Sequence, residues 1–172
     1  MRIDPRVHVE EEQMKGDPKV LEVLNEALTE ELTAINQYFL HAEMQENFGF
    51  EALHRATMAE SIDEMRHAEK LVERILFLDG QPNMTRYQQI KIGRTVEEML
   101  TNDLNLEKGA VVLYNRAIQV SIGAQDNGTA EILKAILKDE ERHVDFIETQ
   151  LSLIGSLGLA NYLTRQSAKA EG

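Results

Sequence analysis

The chain has 172 residues, enough for one domain with a real core, and a net charge of −12 that argues against a nucleic-acid backbone as partner. It has no cysteine, which excludes disulfides, zinc fingers, iron–sulfur clusters and thiol catalysis, so any metal must be held by oxygen and nitrogen. Tryptophan is absent and proline is rare, while long stretches rich in Ala, Leu, Glu, Lys and Gln favour helix.

Residues 1–13 are polar and read as a mobile N-terminal extension, with the fold occupying residues 14–172. No apolar run reaches the ~18 residues of a membrane span, and the first residues form no apolar signal segment, so the expected compartment is the cytoplasm. Helix A begins after Gly16, with Asp17 as N-cap and Pro18 at the first helical position. It carries the stripe Leu24, Leu28, Ile35, Tyr38 and ends near Asn47. Helix B runs from about Phe50 to Leu78, where Asp79-Gly80 stops it and Pro82 prevents continuation.

A weakly patterned stretch follows from Gln81 to Thr95. A connection that long needs a reason, and a crossover along a bundle, which lets helix C run parallel to helix B, is one. Helix C spans about Val96 to Gly123. Asp126-Asn127-Gly128 is a tight link to helix D, about Thr129 to Ile154. Gly155 and Gly158 bracket a break, and Leu159 to Arg165 forms a short fifth helix. No segment alternates at period two. The fold class is all-α: a ferritin-like four-helix bundle with a long B–C crossover and a short C-terminal helix.

A repeat of charged residues interrupts the apolar stripes. Glu31, Glu64, His67, Glu107, Glu140 and His143 form two halves related by one step, since 107 − 31, 140 − 64 and 143 − 67 all equal 76. In each Glu-x-x-His pair the two side chains lie about 60° apart on one helix face. Glu31 continues the stripe of Leu24 and Leu28, and Glu107 that of Leu100 and Leu104, so all six should point inward.

Four buried carboxylates are costly unless cations balance them, and two divalent ions do so. This is the donor set of carboxylate-bridged dimetal bundles, one Glu from each of two helices and Glu-x-x-His from each of the others. Oxygen and imidazole donors suit Fe(II), Mn(II) or Zn(II), with iron favoured for oxygen chemistry. By analogy Glu64 and Glu140 bridge, while Glu31 and Glu107 are terminal. Asp63 and Asp139 stand ready to orient the histidine rings, and Tyr38 and Tyr114 to bond a ligand carboxylate from a neighbouring helix, or to donate an electron. Glu51 and His54 form a further Glu-x-x-His pair, but it has no counterpart 76 residues on and lies off the metal face.

The stretches 14–17, 32–41, 61–68 and 139–143 resemble the signatures of bacterioferritins, and the resemblance runs from residue 14 to about 165. It implies iron storage with ferroxidase activity. Fe(II) would be oxidised by O₂ or H₂O₂ at an intrasubunit di-iron centre, and ferric mineral held in a homo-oligomeric shell of 24 subunits built from two-fold dimers. It also implies haem b at the two-fold, with Met65 as axial ligand and Leu32, Ile35, Asn36 and Phe39 lining its pocket. A ferredoxin-like reductant is the implied partner, with no nucleic acid and no membrane. Some members bind iron on the inner surface with a histidine and a nearby aspartate. Those positions are Ala59 and Asp63 here, so that pair is incomplete, with Glu60 as the substitute donor beside it. The alternative is a di-iron or di-manganese oxidase or catalase that stores no mineral.

Overall fold

Five helices follow one another in the computed structural model, which describes residues 15–167: α1 (Pro18–Asn47), α2 (Glu51–Phe77), α3 (Val96–Gly123), α4 (Asn127–Leu157) and α5 (Leu159–Gln166). The expected extension at 1–13 lies outside the described residues, as do the two ends of the expected domain. The first four helices form the bundle and α5 sits against α4 and α2. Side-chain oxygens start three of them. Asp17 accepts from the Lys19 N–H at 2.7 Å, Thr95 from Glu98 at 3.2 Å and Asp126 from Thr129 at 2.9 Å.

Helix α4 departs from expectation at both ends. Asn127 and Gly128 belong to its first turn, because Asp126 caps it and Arg74 clamps that cap. The Arg74 guanidinium bonds Asp126 at 2.6 Å and Thr129 at 2.8 Å while lying 4.8 Å from the Phe77 ring centre. At the other end α4 runs through Gly155, a position open to solvent, where glycine costs helix stability only about 1 kcal/mol. The chain turns at Gly158 alone, whose φ of 77° suits glycine.

Residues 81–95 carry no regular structure and run alongside α1. Polar side chains of α1 hold them in sequence. Asn25 accepts from the Asn83 N–H, Thr33 from Gln88, Gln37 from Lys91 and His41 from Gly93, at 2.7 to 3.0 Å. The crossover therefore returns the chain to the far end of α1, and α3 runs parallel to α2. Gly93 is required where the crossover meets α3, because a Cβ there would lie 2.3 Å from the Met99 nitrogen.

The core has two parts. The larger is built on Val20, Leu24, Leu28, Leu71, Ile75 and Leu133, and the smaller, near α5, on Leu53, Leu100, Ile147, Ile154 and Tyr162. Among the described residues no helix is long and apolar enough to cross a membrane.

Candidate dimetal centre

Glu31, Glu64, His67, Glu107, Glu140 and His143 are all buried, as their stripes require. Their donor atoms form two groups. Glu31, Glu64, His67 and Glu140 offer atoms within 4.8 Å of one another, and so do Glu64, Glu107, Glu140 and His143. The groups share Glu64 and Glu140, so those two carboxylates lie between the two positions. Each histidine turns Nδ1 towards the acids. His67 Nδ1 is 2.8 Å from Glu64 Oε2 and 2.9 Å from Glu140 Oε1, and His143 Nδ1 is 3.0 Å from Glu64 Oε1. The two rings are 6.3 Å apart.

This close set is not internally satisfied. Among the described residues Glu64 Oε1, Glu140 Oε1 and His143 Nδ1 and Nε2 have no hydrogen-bond partner of good geometry. Orphaned buried donors and acceptors on facing carboxylates and imidazoles suit cations between them. Burial raises the pKa of Glu31 and Glu140, and neighbouring acids raise it further. Glu64 goes the other way. Burial would raise it, but the close positive charge of His143 and the hydrogen bond from His67 outweigh burial and hold it at about 2. Burial opposes charge on the histidines, yet the surrounding carboxylates prevail, raising His143 to about 11 and His67 above the usual range. In the metal-free protein, protons do part of the neutralising that cations would do.

The surrounding shell matches the repeat. The Tyr38 hydroxyl donates to Glu107 Oε1 at 2.5 Å, and the Tyr114 hydroxyl donates to Glu31. Each tyrosine thus orients the acid of the other half that belongs to a single donor group. Asp139 Oδ2 lies 3.3 Å from His67 Nε2, on the ring edge away from the acids. Asp63 stands at 3.9 Å from His143 Nε2, beyond hydrogen-bond length. Glu51 and His54 stay apart from the centre. Glu51 pairs with Arg55 at 3.6 Å, and His54 Nδ1 donates to the Ala42 carbonyl at 3.0 Å.

Three buried features carry no trace in the repeat. Asp103, one turn before Glu107, accepts from Gln37 at 2.7 Å and from His41 Nδ1 at 2.9 Å, while His41 Nε2 accepts from Gly93. This network ties α1, α3 and the crossover together beside Tyr38 and Glu107. Glu30, beside Glu31, bonds Gln88 of the crossover, and burial followed by the Glu107 charge raises its pKa to about 7. Glu60, one turn before Glu64, is a buried acid whose pKa burial lifts well above the usual range. The signal available was an acid or amide at a helix position that packing buries.

Met65 points away from the centre and is 47 % exposed, on the outer side of α2 near exposed Ile62. Phe39 is also exposed, Ile35 is half-buried, and Leu32 is buried at 7 % exposure.

The ferritin-like domain family matches residues 21–157. Over 151 residues the chain is 51% identical to a bacterioferritin of Streptomyces coelicolor, covering 88% of this chain and 90% of that protein. It is 50% identical over 145 residues to bacterioferritin BfrA of Mycobacterium tuberculosis (84% and 91% covered) and 45% identical over 145 residues to that of Rhodobacter capsulatus (84% and 90% covered). With a ferritin-like bundle around a buried carboxylate–histidine centre and relatives this similar over most of its length, the chain belongs to the bacterioferritins.

Proposed function

We propose that this protein stores iron and oxidises it on the way in, with Glu31, Glu64, His67, Glu107, Glu140 and His143 holding two ferrous ions as substrate. The observation that carries this reading is the overlap of two four-donor groups through Glu64 and Glu140. Shared carboxylates keep both ions close enough for one oxidant to draw an electron from each. With O₂, two Fe(II) and two protons give two Fe(III) and H₂O₂; with H₂O₂, two Fe(II) and two protons give two Fe(III) and two waters.

The chain's own groups prepare this step. His67 and His143 present Nδ1 to the ions, and Asp139 fixes the His67 ring from behind. Tyr38 and Tyr114 hold Glu107 and Glu31 in place. The apolar core on both sides keeps bulk water from the carboxylates and strengthens their hold on cations.

Haem b would be the second cofactor of this reading, and Met65 is the residue that would hold its iron. The fit rests on the donor: a soft thioether, exposed among apolar side chains of α1 and α2, with a second copy across a two-fold supplying the other. Bound haem would supply a one-electron path between stored iron and a ferredoxin-like reductant. The exposed apolar residues Phe39, Ile62 and Leu76 favour assembly through the face that carries Met65, in a 24-subunit shell of two-fold dimers. Each subunit is one bundle domain, residues 14–172, behind the extension 1–13, and the compartment is the cytoplasm.

Aerobic addition of Fe(II) to metal-free protein tests the reading. Fast oxidation saturating near two irons per chain, then slower retention of many more in a large soluble particle, is the expected result. Peroxide turnover without retained iron would overturn it.

A further inference from the structure

The 76-residue step makes the two halves of the centre alike in their ligands but not in the buried charge around them. Asp103 stands one turn before Glu107 on α3 and is 2 % exposed. Its counterpart in the other half, one turn before Glu31 on α1, is Ala27. The donors that hold Asp103 are unmatched too, because Gln37 and His41 of α1 correspond to Leu113 and Ala117 of α3.

Hydrogen bonds fix the charge of this one-sided network. Gln37 Nε2 donates to Asp103 Oδ1 at 2.7 Å. The Gly93 N–H donates to His41 Nε2 at 3.0 Å, so the ring proton sits on Nδ1, which donates to Asp103 Oδ1 at 2.9 Å. His41 is therefore neutral and leaves the carboxylate charge uncancelled. Burial raises the Asp103 pKa, and the bonds from His41 and Gln37 counter it. The Tyr38 hydroxyl, which donates to Glu107, senses both acids: burial first, then the charges of Glu107 and Asp103, hold its pKa up.

The remaining acids do not restore the balance. Asp63 and Asp139 are themselves 76 residues apart, one beside each histidine, and Arg142 lies 3.4 Å from both. Glu30 neighbours Glu31 in sequence but turns to α3, its Oε1 3.6 Å from where a Cβ at Gly109 would lie. The excess of buried negative charge thus falls on the side of Glu107 and His143.

We propose that Asp103 makes the two metal positions unequal, so that the first divalent ion settles beside Glu107 and His143 and the second, beside Glu31 and His67, binds more weakly. This rests on the two-ion reading of the centre. Asp103 is no ligand; it acts through its charge. In a poorly screened interior, one negative charge favours the nearer of two divalent ions by about tenfold in affinity. Oxidation needs both ions, so the weaker position sets the iron concentration at which the reaction begins.

Assembled protein given one Zn(II) per chain, crystallised and measured at the zinc absorption edge reads the two positions separately. The peak beside His143 should be about threefold or more stronger than the peak beside His67. Asp103→Asn keeps the oxygen that receives both bonds and removes the charge. With two Zn(II) per chain it should still fill both positions, with one Zn(II) its peaks should become nearly equal, and calorimetry should show the tighter ion bound about tenfold more weakly. A merely structural role would weaken both positions together and leave their ratio unchanged. Equal peaks in the wild type, a stronger peak beside His67, or a bias that survives in Asp103→Asn would overturn the proposal. The wild-type ratio decides alone if the variant fails to fold. Zinc absent from among the six side chains even in excess would instead sink the reading of the centre, a separately visible failure.

Discussion

Loading the metal-free protein with Zn(II), which binds without redox chemistry, should expel about two protons per chain at pH 7. The count follows from the two imidazoles. The surrounding carboxylates raise His143 to about 11 and His67 further, so both rings are imidazolium without metal. Glu64, held at about 2, is already ionised and adds none. Coordinating atoms must be deprotonated, so two divalent ions replace the two imidazolium protons. An average of one proton per ion means that affinity falls about tenfold per ion for each unit drop in pH, roughly 1.4 kcal/mol. Calorimetry at one pH in buffers of different ionisation enthalpy reads the released protons directly. Release of fewer than about one proton per chain would refute the argument, because the imidazoles would then not be protonated without metal.

Other consequences concern single residues. Glu30 has a folded pKa of about 7 against 4.5 for a free glutamate, so the folded state binds the extra proton. The associated stability is present below pH 4.5 and lost as pH rises through 7, at a cost of up to about 3 kcal/mol. Glu30→Gln should flatten that slope, seen as a higher melting temperature than wild type at pH 8 and little difference at pH 4. Tyr38→Phe removes the 2.5 Å bond to Glu107, and thermal melts of metal-free protein should show a loss of about 1–3 kcal/mol with both ions still bound afterwards. Arg74→Ala strips the clamp on the α4 cap and should lower stability by about 2 kcal/mol, with faster amide exchange in the first turn of α4. Met65→Leu should abolish the haem Soret band while leaving assembly size and fast iron oxidation unchanged.

The helices and the centre were legible because their signals are local or repeated. Asp17 announces the start of α1 through its own side chain, and α3 falls where the pattern places it, Val96–Gly123, whereas the Asp126 cap of α4 reads in sequence as part of a tight link. Gly155 misled because glycine is only a weak breaker when solvent surrounds it; the turn needed the positive φ of Gly158. The six residues at the centre were found through their 76-residue step.

That step also explains the omissions. The positions 76 away from Gln37, His41, Asp103 and Glu30 hold Leu113, Ala117, Ala27 and Leu106, so no repeat flags them. Their burial depends on where the crossover and the opposite helix lie, which is tertiary information. The crossover itself was legible only as a length. Its path is written in Asn25, Thr33, Gln37 and His41, which read in isolation as ordinary polar residues of α1.

The central claim is that two ferrous ions lie side by side among six named side chains. Crystals soaked in Fe(II) under argon and measured at the iron absorption edge test it directly. The account predicts two anomalous peaks per subunit, one beside His67 Nδ1 and one beside His143 Nδ1, with Glu64 and Glu140 between them. A single peak, or iron bound only outside the bundle, would contradict it.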